Sequence, residues 1–215
     1  MTEFKAAIFD LDGTILDSMG VWEKIDIEFL AKRNLIVSDD YVDKICALSF
    51  IDVAKYTINL YGLTETVEDI TSEWNSMALY EYSNNVILKK TARDYLIRLK
   101  TAGIKLAVAT TLPATLYIPV LRNNEIYDYF DIFCSTDEVK HGKGHPDIFL
   151  LAAERLNVSP TNCIVFEDIL PAIISAKNAG MRVYGVYDKY SKKSRSEILK
   201  YADGYLFDFM NAPLP

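Results

Sequence analysis

Hydrophobic residues follow two rhythms along this chain. Ala6-Ala7-Ile8-Phe9 is a short apolar run that stops at Asp-Leu-Asp-Gly-Thr. An apolar run closed by a glycine turn predicts a buried strand. After it, Val21, Ile25, Phe29 and Leu30 recur at helical spacing across residues 21–34. That spacing places one apolar stripe on one helix face. Helical patterns return over residues 40–48, 51–60 and 67–82, with no strand pattern between them. The stretch 17–84 therefore predicts an all-helical unit.

Beyond it the rhythm changes. Residues 91–101 predict a helix, with Thr91 and Asp94 as a capping pair and Gly103 near its end. Strands are predicted at 105–110, 131–135, 163–166 and 182–186. Helices fall between them: one opened by Pro113, one opened by Pro146, and one from Pro171 closed by Gly180. A last helix and a short strand at 205–207 end the pattern. Strand–helix alternation with short connections implies an α/β fold with a parallel sheet covered on both faces.

Composition narrows the class without changing the fold. Half of the 215 residues are hydrophobic and a quarter charged, enough for an ordinary core. The net charge of −7 argues against a nucleic-acid partner, which needs a basic surface. No apolar run approaches a membrane span, so no membrane partner is expected. Cys46, Cys134 and Cys163 are far apart and flanked by apolar residues, which predicts buried reduced thiols. The first residues run directly into the strand without a signal-peptide pattern, and a cytoplasmic protein is expected. Nothing demands more than a monomer.

In parallel sheets, ligands bind beyond the carboxyl ends of the strands. The polar residues at those ends are Asp10 and Asp12, Thr110 and Thr111, and Glu167 and Asp168, with Lys143 in a glycine-rich loop before a helix. Two carboxylates as close as Asp10 and Asp12 repel unless a cation intervenes, and magnesium prefers such oxygen ligands. One carboxylate can attack phosphorus and a second can move the proton of the leaving group. Thr110, Thr111 and Lys143 could hold the non-bridging oxygens. Each residue also has a plainer use: Thr110-Thr111 suits a helix cap and Lys143 an ordinary surface lysine. Joint appearance at successive strand ends favours phosphoryl transfer. His141 and His145 flank Lys143, and hydrogen bonding within the loop is the better reading of them than a metal pair.

The motifs resemble those of the haloacid dehalogenase superfamily. Phe9-Asp-Leu-Asp-Gly-Thr-Ile-Leu-Asp-Ser18 is similar to its first motif, Ala109-Thr110-Thr111 to its second, Gly142-Lys143-Gly-His-Pro146 to its third, and Phe166-Glu167-Asp168 to its fourth. The likeness covers nearly the whole chain. It implies a Rossmann-like, doubly wound core at 1–16 and 85–215 with a helical cap at 17–84. It implies Asp10 as nucleophile, Asp12 as acid–base, Thr110 as phosphoryl ligand and Lys143 as charge clamp. Magnesium would be held by Asp10, the Asp12 carbonyl and Asp168, with Glu167 just outside the ligand set. The substrate would be a small phosphorylated metabolite.

Some positions depart from the family pattern. Gly144 stands where a proline usually follows the lysine, and Ile169 and Ala172 replace a small hydroxyl residue and a glycine. Asp12 argues against dehalogenation, since the dehalogenases lack it. Beta-phosphoglucomutases resemble this chain but carry a cap histidine and arginine where Trp22 and Phe50 stand. Those aromatics remove a second phosphate grip and favour hydrolysis, with both placed near the substrate. Trp74 is expected to pack between cap helices. The alternatives are a sugar-phosphate mutase and a non-catalytic phospho-acceptor domain.

Overall fold

The computed structural model describes residues 4–38, 40–45 and 50–215. Backbone contacts divide the chain into two units, one of residues 1–19 and 86–215 and one of residues 20–85.

The larger unit is a six-stranded parallel sheet. Its strands are β1 (Ala6–Phe9), β2 (Lys105–Thr110), β3 (Ile132–Ser135), β4 (Cys163–Glu167), β5 (Arg182–Val186) and β6 (Gly204–Leu206). They lie in the order β3-β2-β1-β4-β5-β6, with every adjacent pair parallel. The order reverses at β1, between β2 on one side and β4 on the other, and such a reversal opens a crevice at the strand ends. Phe9 pairs in register with Val108 and with Phe166, so the residues that follow each strand emerge together.

β1, β2 and β4 are buried on both faces, which explains their continuous apolar runs. On one face Ala6, Ile8, Ala107, Val165 and Val183 pack with Phe149, Ala152, Ile173 and Ala176. These last four lie on helices Asp147–Leu156 and Leu170–Asn178. On the other face Phe9 stacks on Phe166 at 4.8 Å between ring centroids, and Tyr95 and Phe209 close over both. Mostly aliphatic side chains toward one helical layer and large aromatics toward the other fill the two sides of the sheet.

Helix Ala92–Thr101 supplies Tyr95. The capping pair expected at its start does not form. Thr91 has φ 63°, the left-handed region, and its hydroxyl turns back to donate to the Lys90 carbonyl at 2.6 Å. The left-handed backbone takes the side chain away from the donors it would have capped. Pro113 and Pro146 stand at the N-caps of the helices that follow them, Ala114–Asn123 and Asp147–Leu156. Cys134 and Cys163 are buried free thiols, and burial pushes Cys163 up to about 11; Cys46 lies outside the described residues.

The smaller unit is helical: Val21–Ala31, Tyr41–Ile45, Phe50–Tyr61 and Val67–Asn84. Thr66 and Asp69 form a reciprocal capping box at the start of the last of these. Trp74 is buried and packs edge-on against Phe29 and obliquely against Phe50, joining three helices. Arg33, just past Val21–Ala31, donates to Glu65 and Glu73, each at 2.8 Å, and ties the end of that helix to the first turns of Val67–Asn84 and the loop before it.

Candidate active site

The site is built on the loop that leaves β1. The Asp10 amide donates to the Phe166 carbonyl at 3.0 Å, which continues the β1–β4 ladder one residue past the strand. The chain then folds into a tight turn. The Leu11 carbonyl accepts from the amides of Thr14, Ile15 and Leu16, and Gly13 takes φ +74°. Glycine adopts that conformation without steric cost. Leu11, Ile15 and Leu16 are fully buried, so the turn is anchored by its apolar side chains while Asp10 and Asp12 remain at its mouth.

Four charged side chains converge there. Lys143, from the loop before helix Asp147–Leu156, donates to Asp10 Oδ1 and to Glu167 Oε2, the latter at 2.8 Å. All three are buried. The His145 amide closes the Lys143 loop on the Gly142 carbonyl at 2.9 Å, so Gly144 does not stop the lysine from reaching in. Glu167 uses its other oxygen to accept from the amides of Asp168 (2.9 Å) and Ile169 (3.2 Å). Both Glu167 oxygens are therefore engaged. Asp168 is different: Oδ1 accepts from the Thr14 hydroxyl at 3.3 Å, while Oδ2 is buried with no hydrogen-bond partner among the described residues.

One oxygen from each of Asp10, Glu167 and Asp168 lies within 4.8 Å of the others. Burial drives the Asp10 carboxyl up to about 7, and the nearby Glu167 adds to it against the opposing pull of Lys143. Burial, then Glu167 and Asp10, drive Asp168 up to about 9. Burial opposes the charge on Lys143, but the two acids outweigh it and hold its pKa above the usual lysine range. A single ammonium cannot balance three buried carboxylates. The donor set fits one hard cation, whose natural ligand is the unsatisfied Asp168 oxygen.

The remaining sequence candidates fall at several places. Asp12 is half-buried and accepts a short hydrogen bond from Ser18. Thr110 ends β2, fully buried, and its hydroxyl accepts from the Leu112 amide at 3.1 Å while keeping its own proton to donate. Thr111 is exposed. His141 pairs with Asp147, the first residue of the helix that follows the loop, at 2.8 Å. Trp22 and Phe50 lie in the helical unit, at the starts of their helices, edge-on to each other at 5.7 Å.

Two residues of the larger unit were not legible in the motifs. Lys89 donates to the Gly13 carbonyl, to the Tyr187 carbonyl at 2.6 Å and to Asp188 at 2.9 Å. Asp188 follows the end of β5, so the strand-end rule could have flagged it. Lys89 stands in a plain Lys-Lys pair and carries no such signal.

A sequence model of haloacid dehalogenase-like hydrolases matches residues 7–186, most of the chain, a span that includes Asp10, Asp12, Thr110, Lys143, Glu167 and Asp168. The chain belongs to the haloacid dehalogenase-like hydrolase family. Among curated members, it is 29% identical over 183 residues to the phosphorylated carbohydrates phosphatase of Thermotoga maritima, covering 85% of each chain. It is 26% identical over 183 residues to hexitol phosphatase B of Escherichia coli, covering 82% of this chain and 81% of the other. Among solved structures, a Thermotoga maritima protein provisionally named beta-phosphoglucomutase superposes with a TM-score of 0.82 at 27% identity. That superposition covers 94% of this haloacid dehalogenase-like chain and 93% of the other.

Proposed function

We propose that this hydrolase is a magnesium-dependent phosphatase of small phosphomonoesters that works through an aspartyl-phosphate on Asp10. The observation that carries the reading is the buried cluster of Asp10, Lys143, Glu167 and Asp168, with one Asp168 oxygen unpartnered.

Asp10, the Asp12 carbonyl and Asp168 would hold the magnesium ion; Glu167, with both oxygens already engaged, stays outside the ligand set. The bound ion would neutralise the clustered acids and the charge of the phosphoryl oxygens. In the first step an Asp10 oxygen bonds to phosphorus as the ester oxygen leaves, and the Asp12 carboxyl gives that oxygen its proton. In the second, water bonds to phosphorus, Asp12 takes the water's proton, and Asp10 is released with inorganic phosphate. Asp12 lies off the buried cluster and is half-exposed, which suits a group that must exchange protons. Thr110 and Lys143 are assigned to the phosphoryl oxygens, with Thr111 beside them.

The helical unit, residues 20–85, is assigned as the cap that the sequence places at 17–84, with Trp22 and Phe50 as its substrate-selecting aromatics. Both keep more than a third of their surface exposed, at 37% and 38%, while Trp74 is 2% exposed. Relatives named for phosphatase activity on phosphorylated carbohydrates and hexitol phosphates support a small phosphorylated metabolite as substrate. The test is a magnesium-dependent screen across phosphomonoesters. Continuous phosphate release supports the reading. Bisphosphate-primed isomerisation of a sugar phosphate, without net phosphate release, would instead establish a mutase.

A further inference from the structure

We propose that Lys89 is a positioning residue for the nucleophile turn, acting through the Gly13 carbonyl and held in place by Asp188. The catalytic consequence rests on the function proposed above; the positioning itself does not.

A lysine ammonium has three donors and no acceptor. Lys89 commits all three within the larger unit: to the Gly13 carbonyl, to the Tyr187 carbonyl at 2.6 Å and to Asp188 Oδ2 at 2.9 Å. Its side chain is 13% exposed and that of Asp188 4%. A lysine on the surface keeps its ammonium in water, so a saturated, nearly buried one is a built feature. Asp188 is itself oriented, because its other oxygen accepts from the Tyr190 amide at 2.8 Å.

Lys89 also grips the turn through its backbone. Its amide donates to the Ile15 carbonyl at 2.7 Å, and the Asp17 amide donates to the Ile87 carbonyl at 2.9 Å. Leu16 and Leu88 form an antiparallel bridge between these bonds. The turn is thus held twice by one residue, at Ile15 by the main chain and at Gly13 by the ammonium. The Thr14 hydroxyl also donates to Asp168, and a Cβ placed on Gly13 would meet the same carboxylate. The Gly13 peptide is pinned between a cation on its carbonyl and Asp168. Asp10 and Asp12 leave from the same turn, so Lys89 fixes their position against Asp168 without touching substrate.

The test uses the full chain with Lys89→Met, Asp188→Asn and the double substitution. Two quantities are read: phosphate-release kinetics at saturating magnesium, and hydrogen–deuterium exchange of residues 10–18. Misplacing a reacting group by about 1 Å can cost about a hundredfold in rate. The expected result is a kcat lowered about tenfold to a hundredfold with KM changed less than about threefold. Exchange across 10–18 rises while β2 stays protected. The double variant is no worse than Lys89→Met, because one linkage has been cut twice. A folded Lys89→Met with wild-type kcat and wild-type exchange overturns the proposal. So does a uniform loss of protection with kcat unchanged, which marks a plain structural salt bridge. Should Lys89→Met fail to fold, Asp188→Asn alone decides by the same two readings. Should the wild type hydrolyse no phosphomonoester, the functional reading fails and the exchange measurement still decides this one.

Discussion

A Cβ added to Gly13 would stand 2.5 Å from Oδ2 of Asp168 and 2.8 Å from its Cγ. The turn that carries the proposed nucleophile is thus seated directly on the carboxylate proposed to hold the metal. Gly13 also has φ +74°, where a side chain is strained even in open space. Gly13→Ala must therefore push Asp168 and the turn apart. The expected outcome is a loss of about a hundredfold in kcat and about 1–3 kcal/mol of stability, read by steady-state kinetics and denaturant melts. An active, fully stable Gly13→Ala would show that the close approach has no consequence.

Lys143 is the cation in contact with two buried acids, Asp10 and Glu167. Removing one partner of a buried ion pair leaves an uncompensated charge, which costs about 3–5 kcal/mol. Lys143→Met should be destabilised by roughly that amount at pH 8 in metal-free buffer. Magnesium should recover part of the loss. Thermal melts with and without the ion check both statements.

Magnesium binding should tighten as pH rises. The folded-state pKa values of Asp10 and Asp168 are lifted from 3.8 to about 7 and about 9. The folded metal-free chain therefore holds protons that the unfolded chain has released. These two groups make its stability fall as pH climbs from about 3.8 through those values. A cation must displace the protons, so its affinity grows over the same window. The melting shift produced by magnesium should be larger at pH 8.5 than at pH 6; a constant shift would contradict the buried-acid account.

The helical unit has its own titrating group. Burial lifts Asp26 from 3.8 to about 7, against the hydrogen bond from Tyr41, with Glu23 adding to the rise. The Tyr41 hydroxyl is also paired with Thr57 at 2.7 Å. The sign is again that of a raised acid: its contribution worsens as pH climbs from about 3.8 to about 7. Asp26→Asn keeps an acceptor for Tyr41 and cannot ionise. It should be more stable than wild type at pH 8 and should lose that advantage near pH 4, as followed by melts across pH.

The elements legible in sequence were those with strong rhythm. The run Ala6–Phe9, the stripe Val21-Ile25-Phe29 and the proline-opened helices depend on local spacing and stereochemistry, which a single chain displays. Thr91 misled because a cap depends on backbone angle as well as residue type. Its left-handed φ turns the hydroxyl toward Lys90. The charged cluster was legible because strand ends of a parallel sheet converge by rule. The Lys89–Asp188 linkage was not, because it joins positions 99 residues apart with no motif around either. The unpartnered oxygen of Asp168 is likewise a product of three-dimensional packing, and no spacing in the sequence announces it.

The most direct test follows phosphate release by wild type and Asp10→Asn, with magnesium, on the best ester found by the screen. Asp10→Asn keeps the shape of the side chain and removes the nucleophilic charge. The account predicts continuous turnover by wild type, no turnover without magnesium, and a loss of about a thousandfold or more in Asp10→Asn. Substantial residual turnover by Asp10→Asn, or release by wild type that stops after one equivalent, would contradict it.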